Sequence, residues 1–191
     1  MGVSARDLVV KRGSFVLDVP QFASGPGGIA ILGPNGSGKT TLLLALQGLI
    51  PADGTVERPR RAAAVFARPA VLRGATLWNV AVVAECVRRL DARDANRRAK
   101  QILDDVGLMG RSATDARDLS TGERQRLALA RAIACEPEAL FLDEPFANVD
   151  ADARPVLRSL VASYRRDCNC DIIVATAFWQ TRWCFVPTYC F

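Results

Sequence analysis

The 191-residue chain has no histidine, so a mixed Cys/His zinc site is excluded. Lysine is scarce: three stand against 22 arginines, and the net charge of +5 is essentially an arginine charge. An arginine bias alongside many alanines reads as the product of a GC-rich bacterial genome. No basic run is interleaved with aromatics, so no nucleic-acid partner is expected. Long apolar runs are also missing; the best, 41–50, is broken by Gln47 and falls well short of a membrane span. Arg6 and Asp7 precede any apolar run, so there is no signal-peptide pattern. The chain is therefore expected not to cross a membrane by itself. Internal repeats and low-complexity linkers are absent. The six cysteines (Cys86, Cys135, Cys168, Cys170, Cys184, Cys190) are scattered, and reduced cytosolic thiols are expected.

What is present is a core. Half the residues are hydrophobic and 24% are charged, which excludes disorder, collagen and coiled coil and fits a soluble globular domain. The length suits one compact domain, or one with a small inserted lobe.

Short β-rich runs at 8–10 and 15–19 flank Lys11-Arg12-Gly13 and predict a hairpin. The apolar run 29–32 reads as a buried strand, and 41–49 as a helix; further strands are expected at 54–57 and 63–67. From about 75 to 120 the pattern is helical and rich in arginine and alanine, which predicts an inserted helical subdomain. The alternation then resumes with a helix over 121–135, a strand over 139–142, a helix over 152–165 and a strand over 172–175. Such alternation implies an α/β fold with a mostly parallel sheet covered on its faces. The last 14 residues differ in kind, gathering Phe178, Trp179, Trp183, Phe185, Tyr189 and Phe191 with Cys184 and Cys190. They form either a hydrophobic contact surface or a divergent, truncated end.

Gly33-Pro34-Asn35-Gly36-Ser37-Gly38-Lys39-Thr40 is a P-loop pattern, followed by Thr41. Glycines at this spacing let backbone N–H groups turn around an anion, and the helix starting near Lys39 adds its positive end. Lys39 reaches the β- and γ-phosphates, and the Thr40 hydroxyl ligates Mg²⁺. These residues predict binding of a nucleoside triphosphate.

The apolar strand before Asp143-Glu144 ends in two acids. With a P-loop upstream, Asp143 is the expected metal-site acid and Glu144 the general base. Upstream of that strand lies Leu119-Ser120-Thr121-Gly122-Glu123-Arg124-Gln125-Arg126. Ser120 and Glu123 make a capping box, and a capped helix N-terminus is also an anion site.

P-loop, Leu-Ser-Thr-Gly-Glu and strand acids, in that order, resemble the ATP-binding subunits of ABC transporters over about 8–176. The resemblance implies a P-loop NTPase fold over 1–177 with N-terminal antiparallel strands and an inserted helical subdomain, and a tail over 178–191. It implies ATP and Mg²⁺ as ligands, with Gly33 to Thr41 on the phosphates. It implies a homodimer or pseudo-dimer in which Ser120, Gly122 and Glu123 complete the site of the opposite subunit and Asp150 lies in the loop that communicates across the dimer. Transmembrane permease subunits would dock on the helical lobe, placing the protein on the cytoplasmic face of the cell membrane. Val65-Phe66-Ala67-Arg68-Pro69 with Leu72-Arg73 is similar to importers of oxyanions such as tungstate.

Three positions depart from the family pattern. Ala67 stands where a glutamine is usual, and Ala177 where a switch histidine follows Ala175-Thr176. The adenine-stacking aromatic is expected near Arg12-Gly13, with Phe15 the nearest candidate. The chain also stops before the family's last strands and helices. A methyl group can neither orient water nor hydrogen-bond a phosphate. Two functions follow: an energy-coupling ATPase with slow turnover, or a catalytically impaired regulatory subunit that dimerises on ATP. A DNA-repair or chromosome-structuring relative would carry a long coiled-coil insertion between P-loop and signature, and a translation-type relative two such domains.

Overall fold

The computed structural model of the chain describes residues 2–25, 27–177 and 188–190, the last as backbone alone. It divides into two compact units. The first is drawn from Met1–Ala64, Glu138–Glu144 and Asn169–Phe191, the second from Val65–Pro137 and Pro145–Cys168.

The first unit holds β1 (Ser4–Arg12), β2 (Phe15–Ala23), β3 (Gly28–Leu32), α1 (Lys39–Leu46) and β4 (Asp53–Glu57), then β5 (Ala62–Val65), β6 (Ala139–Asp143), β7 (Asp171–Thr176) and β8 (Thr188–Cys190). The order β2-β1-β4 forms an antiparallel sheet, and β5-β6-β7-β3-β8 a second one in which β3, β6, β7 and β8 pair in parallel. The fold is thus α/β, with a parallel sheet and an antiparallel N-terminal one. Every residue of β6 is buried, and so is Gly28 to Ile31 of β3. Strands covered on both faces need such continuous apolar runs, whereas β1 and β2 alternate. Leu42, Leu43 and Leu46 of α1 share one core cluster with Ile29, Ile31, Phe141 and Ile173.

The hairpin strands run well past the expected 8–10 and 15–19. Asp7 adopts a left-handed conformation (φ +49°). The β1–β2 ladder keeps one register from Arg6↔Gln21 to Leu8↔Val19, leaving Asp7 and Pro20 opposite each other and unpaired. Pro20, which has no N–H to give, lies on an edge strand. The irregularity at Asp7 falls in the β1–β4 ladder, whose register shifts between Arg6 and Val9. Helix α1 starts two residues earlier than expected, on Gly38, and ends at Leu46.

In the second unit the helical stretch near 75–120 resolves into α2 (Thr76–Arg88), α3 (Ala92–Asp105) and 3₁₀ turns at Met109–Arg111 and Ala116–Asp118. Helix α4 (Thr121–Ala134) packs on both helices. Buried Ala81, Ala84, Ala95 and Ala99 are small enough to allow close approach. Asn79, fully buried, accepts from the Leu72 N–H (2.9 Å) and donates to the Leu72 and Ala75 carbonyls (3.0 and 3.1 Å), fastening the preceding loop. Helix α5 (Ala153–Cys168) buries Leu157, Val161 and Tyr164, one stripe at helical spacing. Of the aromatic tail, Phe178, Trp179, Trp183, Phe185 and Phe191 lie outside the described residues, as does Cys184.

Candidate functional site

Strand β3 delivers the chain into the loop 33–38, and α1 leaves it. Gly38 caps the helix at φ +99°, a conformation costly for any residue with a Cβ. A Cβ there would also lie 3.0 Å from Phe15 Cζ, because the phenyl ring rests on the loop. No acidic side chain occupies the first turn of α1, and no side chain caps it. Its leading N–H groups therefore face the loop with their partial positive charge available to an anion.

Lys39 is almost fully buried, and its ammonium donates to the Gly33 and Pro34 carbonyls at 2.8 and 2.9 Å. An ammonium carries three donors, so one remains for an incoming group. The Thr40 hydroxyl donates to Asp143 Oδ2 at 2.8 Å across a separation of 103 residues. Burial pushes the Asp143 carboxyl above the usual carboxylate range; the hydroxyl of Thr40 opposes this, the charge of Glu144 adds to it, and Lys39 opposes it. A buried carboxylate beside a hydroxyl is a hard oxygen donor pair that fits a divalent cation such as Mg²⁺. The Ser37 hydroxyl is buried with no hydrogen-bond partner among the described residues. An orphaned donor inside a glycine loop fits a phosphate oxygen.

Asn35, Gly36, Gly38, Lys39, Thr40, Thr41, Asp143 and Glu144 line one cleft of about 430 Å³, together with Arg12 and Phe15. Arg12 and Phe15 face each other across the hairpin register. Glu144 sits at φ +46°, and its N–H donates to the Ala175 carbonyl at 2.9 Å. Its carboxylate accepts from the Thr176 hydroxyl at 3.0 Å and from the Ala177 N–H. Sequence reading gave Thr176 no role; its trace is the β6–β7 pairing, in which Asp143 faces Ala175 and residues 144 and 176 follow together.

The other expected residues belong to the second unit. Ser120 caps α4: the Glu123 N–H donates to its Oγ at 3.2 Å, and its own N–H donates to Glu123 Oε2 at 2.8 Å. The Ser120 N–H holds the Glu123 carboxyl below its usual range, against partial desolvation and with help from Arg111. A Cβ on Gly122 would lie 2.9 Å from the Asn148 carbonyl, so only glycine lets that loop approach. Asp150 is exposed, and its carbonyl accepts from the Ala153 and Arg154 N–H groups, both at 3.1 Å. The Ala67 carbonyl accepts from Asn148 Nδ2 at 3.3 Å. Among the described residues no helix is long and apolar enough to cross a membrane.

The family model described as "ABC transporter" matches residues 25–147. The chain belongs to the ABC transporter family. It is 39% identical over 163 residues to an aliphatic sulfonates import ATP-binding protein of Paracoccus denitrificans, a match covering 84% of this chain and 64% of that protein. It is 34% identical over 174 residues to the tungstate uptake system ATP-binding protein of Peptoclostridium acidaminophilum, covering 86% and 81%. The chain spans 56–64% of the length of three aliphatic sulfonates import relatives it matches. In fold it is similar to a dimeric ATP-binding cassette in a post-hydrolysis state bound to ADP and Pi, with TM-score 0.84 at 21% identity, covering 93% of this chain and 89% of that one. The likeness to the tungstate system agrees with the resemblance noted at 65–73.

Proposed function

We propose that this ABC family member is the ATP-binding subunit of an importer, taking MgATP into the cleft of the first unit and hydrolysing it slowly. The observation that carries the reading is the convergence of Lys39, Thr40, Asp143 and Glu144 on one cleft beneath a loop with an orphaned Ser37 hydroxyl. The loop from Gly33 through Thr41 wraps the phosphates by its N–H groups, and Lys39 turns its third donor to them. Thr40 and Asp143 would hold Mg²⁺, which would supply neutralisation of charge at the phosphates. Glu144 takes the proton of the attacking water as the bond between the β-phosphate bridge and the γ-phosphorus breaks. Phe15 and Arg12 line the same cleft, and Phe15 is read as the aromatic that stacks on adenine.

Ser120, Gly122 and Glu123, with Asp150, are read as the surface offered to the site of a second ATP-binding subunit. Permease subunits in the membrane are the remaining partners, which makes the location peripheral on its inner face. Relatives are named for aliphatic sulfonates, sulfate or thiosulfate, and tungstate; their shared chemistry supports an oxyanion as cargo. The methyl groups of Ala67 and Ala177 supply no donor to the water or the phosphate, which supports low turnover and keeps an ATP-dependent regulatory subunit as the second reading.

Calorimetric titration with MgATP tests the site: saturable binding that Lys39→Ala weakens by about 10²-fold is expected, and unchanged affinity in that variant overturns it. Size exclusion of Glu144→Gln tests assembly, with a dimer expected in MgATP and a monomer without it. A monomer in both conditions overturns the dimer.

A further inference from the structure

We infer that Thr176 is a positioning residue for Glu144, holding its carboxylate in the orientation in which it receives the water proton. This rests on the reading of Glu144 as the general base. A glutamate side chain has three rotatable bonds, and here it leaves a residue with left-handed backbone (φ +46°) just past the end of β6. Left alone, such a group samples many rotamers, and a base is effective only in the few that reach the water. Two donors on consecutive residues remove that freedom: Thr176 Oγ1 takes one carboxylate oxygen at 3.0 Å and the Ala177 N–H takes the other.

The grip is built from the sheet. Parallel pairing sets Asp143 against Ala175, and the Glu144 N–H to Ala175 carbonyl bond carries the ladder one residue further. Thr176, 4% exposed, is thereby fixed beside the glutamate. A carboxylate has about four acceptor sites, so two donors hold it and leave acceptor capacity for water. The Ala177 contact uses the backbone and survives any side chain at 177. Among the described residues Thr176 is thus the side chain that donates to the base, and it does so in a chain with no histidine.

Three variants of the full chain, assayed for MgATP turnover and MgATP affinity, test this. Thr176→Val keeps the branched shape and removes the donor. It should lower kcat by about 10- to 100-fold with KM, MgATP affinity and melting temperature unchanged. Thr176→Ser keeps the donor and should restore kcat to within about threefold of the unaltered protein. Glu144→Gln should abolish turnover, and adding Thr176→Val to it should cause no further loss, because both act through one group. If Glu144→Gln turns over normally, the base assignment itself fails. If Glu144→Gln is inactive while Thr176→Val keeps full kcat, Thr176 does not position it. Equal losses in the Val and Ser variants, or a loss of MgATP affinity in both, assign Thr176 to packing and overturn the inference.

Discussion

Two helix N-termini in this molecule both read as anion sites in sequence and differ in what they leave available. Helix α1 begins on a glycine, with no acid in its first turn and no side-chain cap. Helix α4 begins on Ser120, whose hydroxyl and N–H are both engaged by Glu123 in a closed capping box. The first therefore presents unsatisfied N–H groups and a buried lysine to an anion; the second has already satisfied itself with its own carboxylate. A phosphate meets no competitor at α1. At α4 it must compete with Glu123.

The largest break in this contrast is Lys39→Ala. Losing a charge-assisted donor should cost about 3 kcal/mol, roughly 10²-fold in MgATP affinity by calorimetry, whereas Ser120→Ala should leave affinity of the isolated subunit untouched. Next is Ala177→His, which adds a donor near the developing charge and should raise turnover about tenfold. Ala67→Gln should raise it less, as measured by steady-state phosphate release; the reverse order would show that the water, not the phosphate, lacks its partner.

Smaller is the cost of opening the α4 box. Ser120→Ala should lower stability by about 1 kcal/mol in thermal or urea unfolding, since a lost cap costs that much. An unchanged midpoint would mean Glu123 alone secures the turn. Smallest is its pH dependence. The folded carboxyl of Glu123 lies below its ordinary value, chiefly through the Ser120 N–H. A depressed acid contributes stability that is present above its unfolded pKa and lost as pH falls through the folded one. The stability difference between the unaltered chain and Glu123→Gln should be present at neutral pH and shrink below the normal glutamate range. A difference independent of pH would assign the effect to packing rather than charge.

Elements built from contiguous signals were legible in the sequence. The glycine loop, the apolar strand ending in Asp143 and Glu144, and the capping box each need only residues within one turn or strand of one another. The hairpin was under-read because Asp7 and Pro20 look like strand breakers one at a time. In the ladder they fall opposite each other, so the same register runs on past both, and the irregularity at Asp7 is taken up against β4. The helical stretch was legible as helix but not as two helices and two 3₁₀ turns. The start of α2 is tied to the far end of the stretch by the Thr76 hydroxyl to Thr114 carbonyl bond (2.9 Å), a contact across 38 residues that local spacing does not show.

By itself the sequence determined the chemistry available to this protein: a glycine loop with a lysine suited to an anion, a carboxylate and a hydroxyl suited to a cation, and no imidazole. Tertiary structure decided how those groups are deployed. Thr40 meets Asp143 across 103 residues, and Thr176 meets Glu144 across 32. Phe15 comes to rest on Gly38. The physical reason is that local spacing sets a residue's backbone conformation and nearest hydrogen bonds, whereas a buried side chain takes its partner from the neighbouring strand. That neighbour is chosen by the parallel register of β6 against β7, which arises only when the whole sheet assembles around its core.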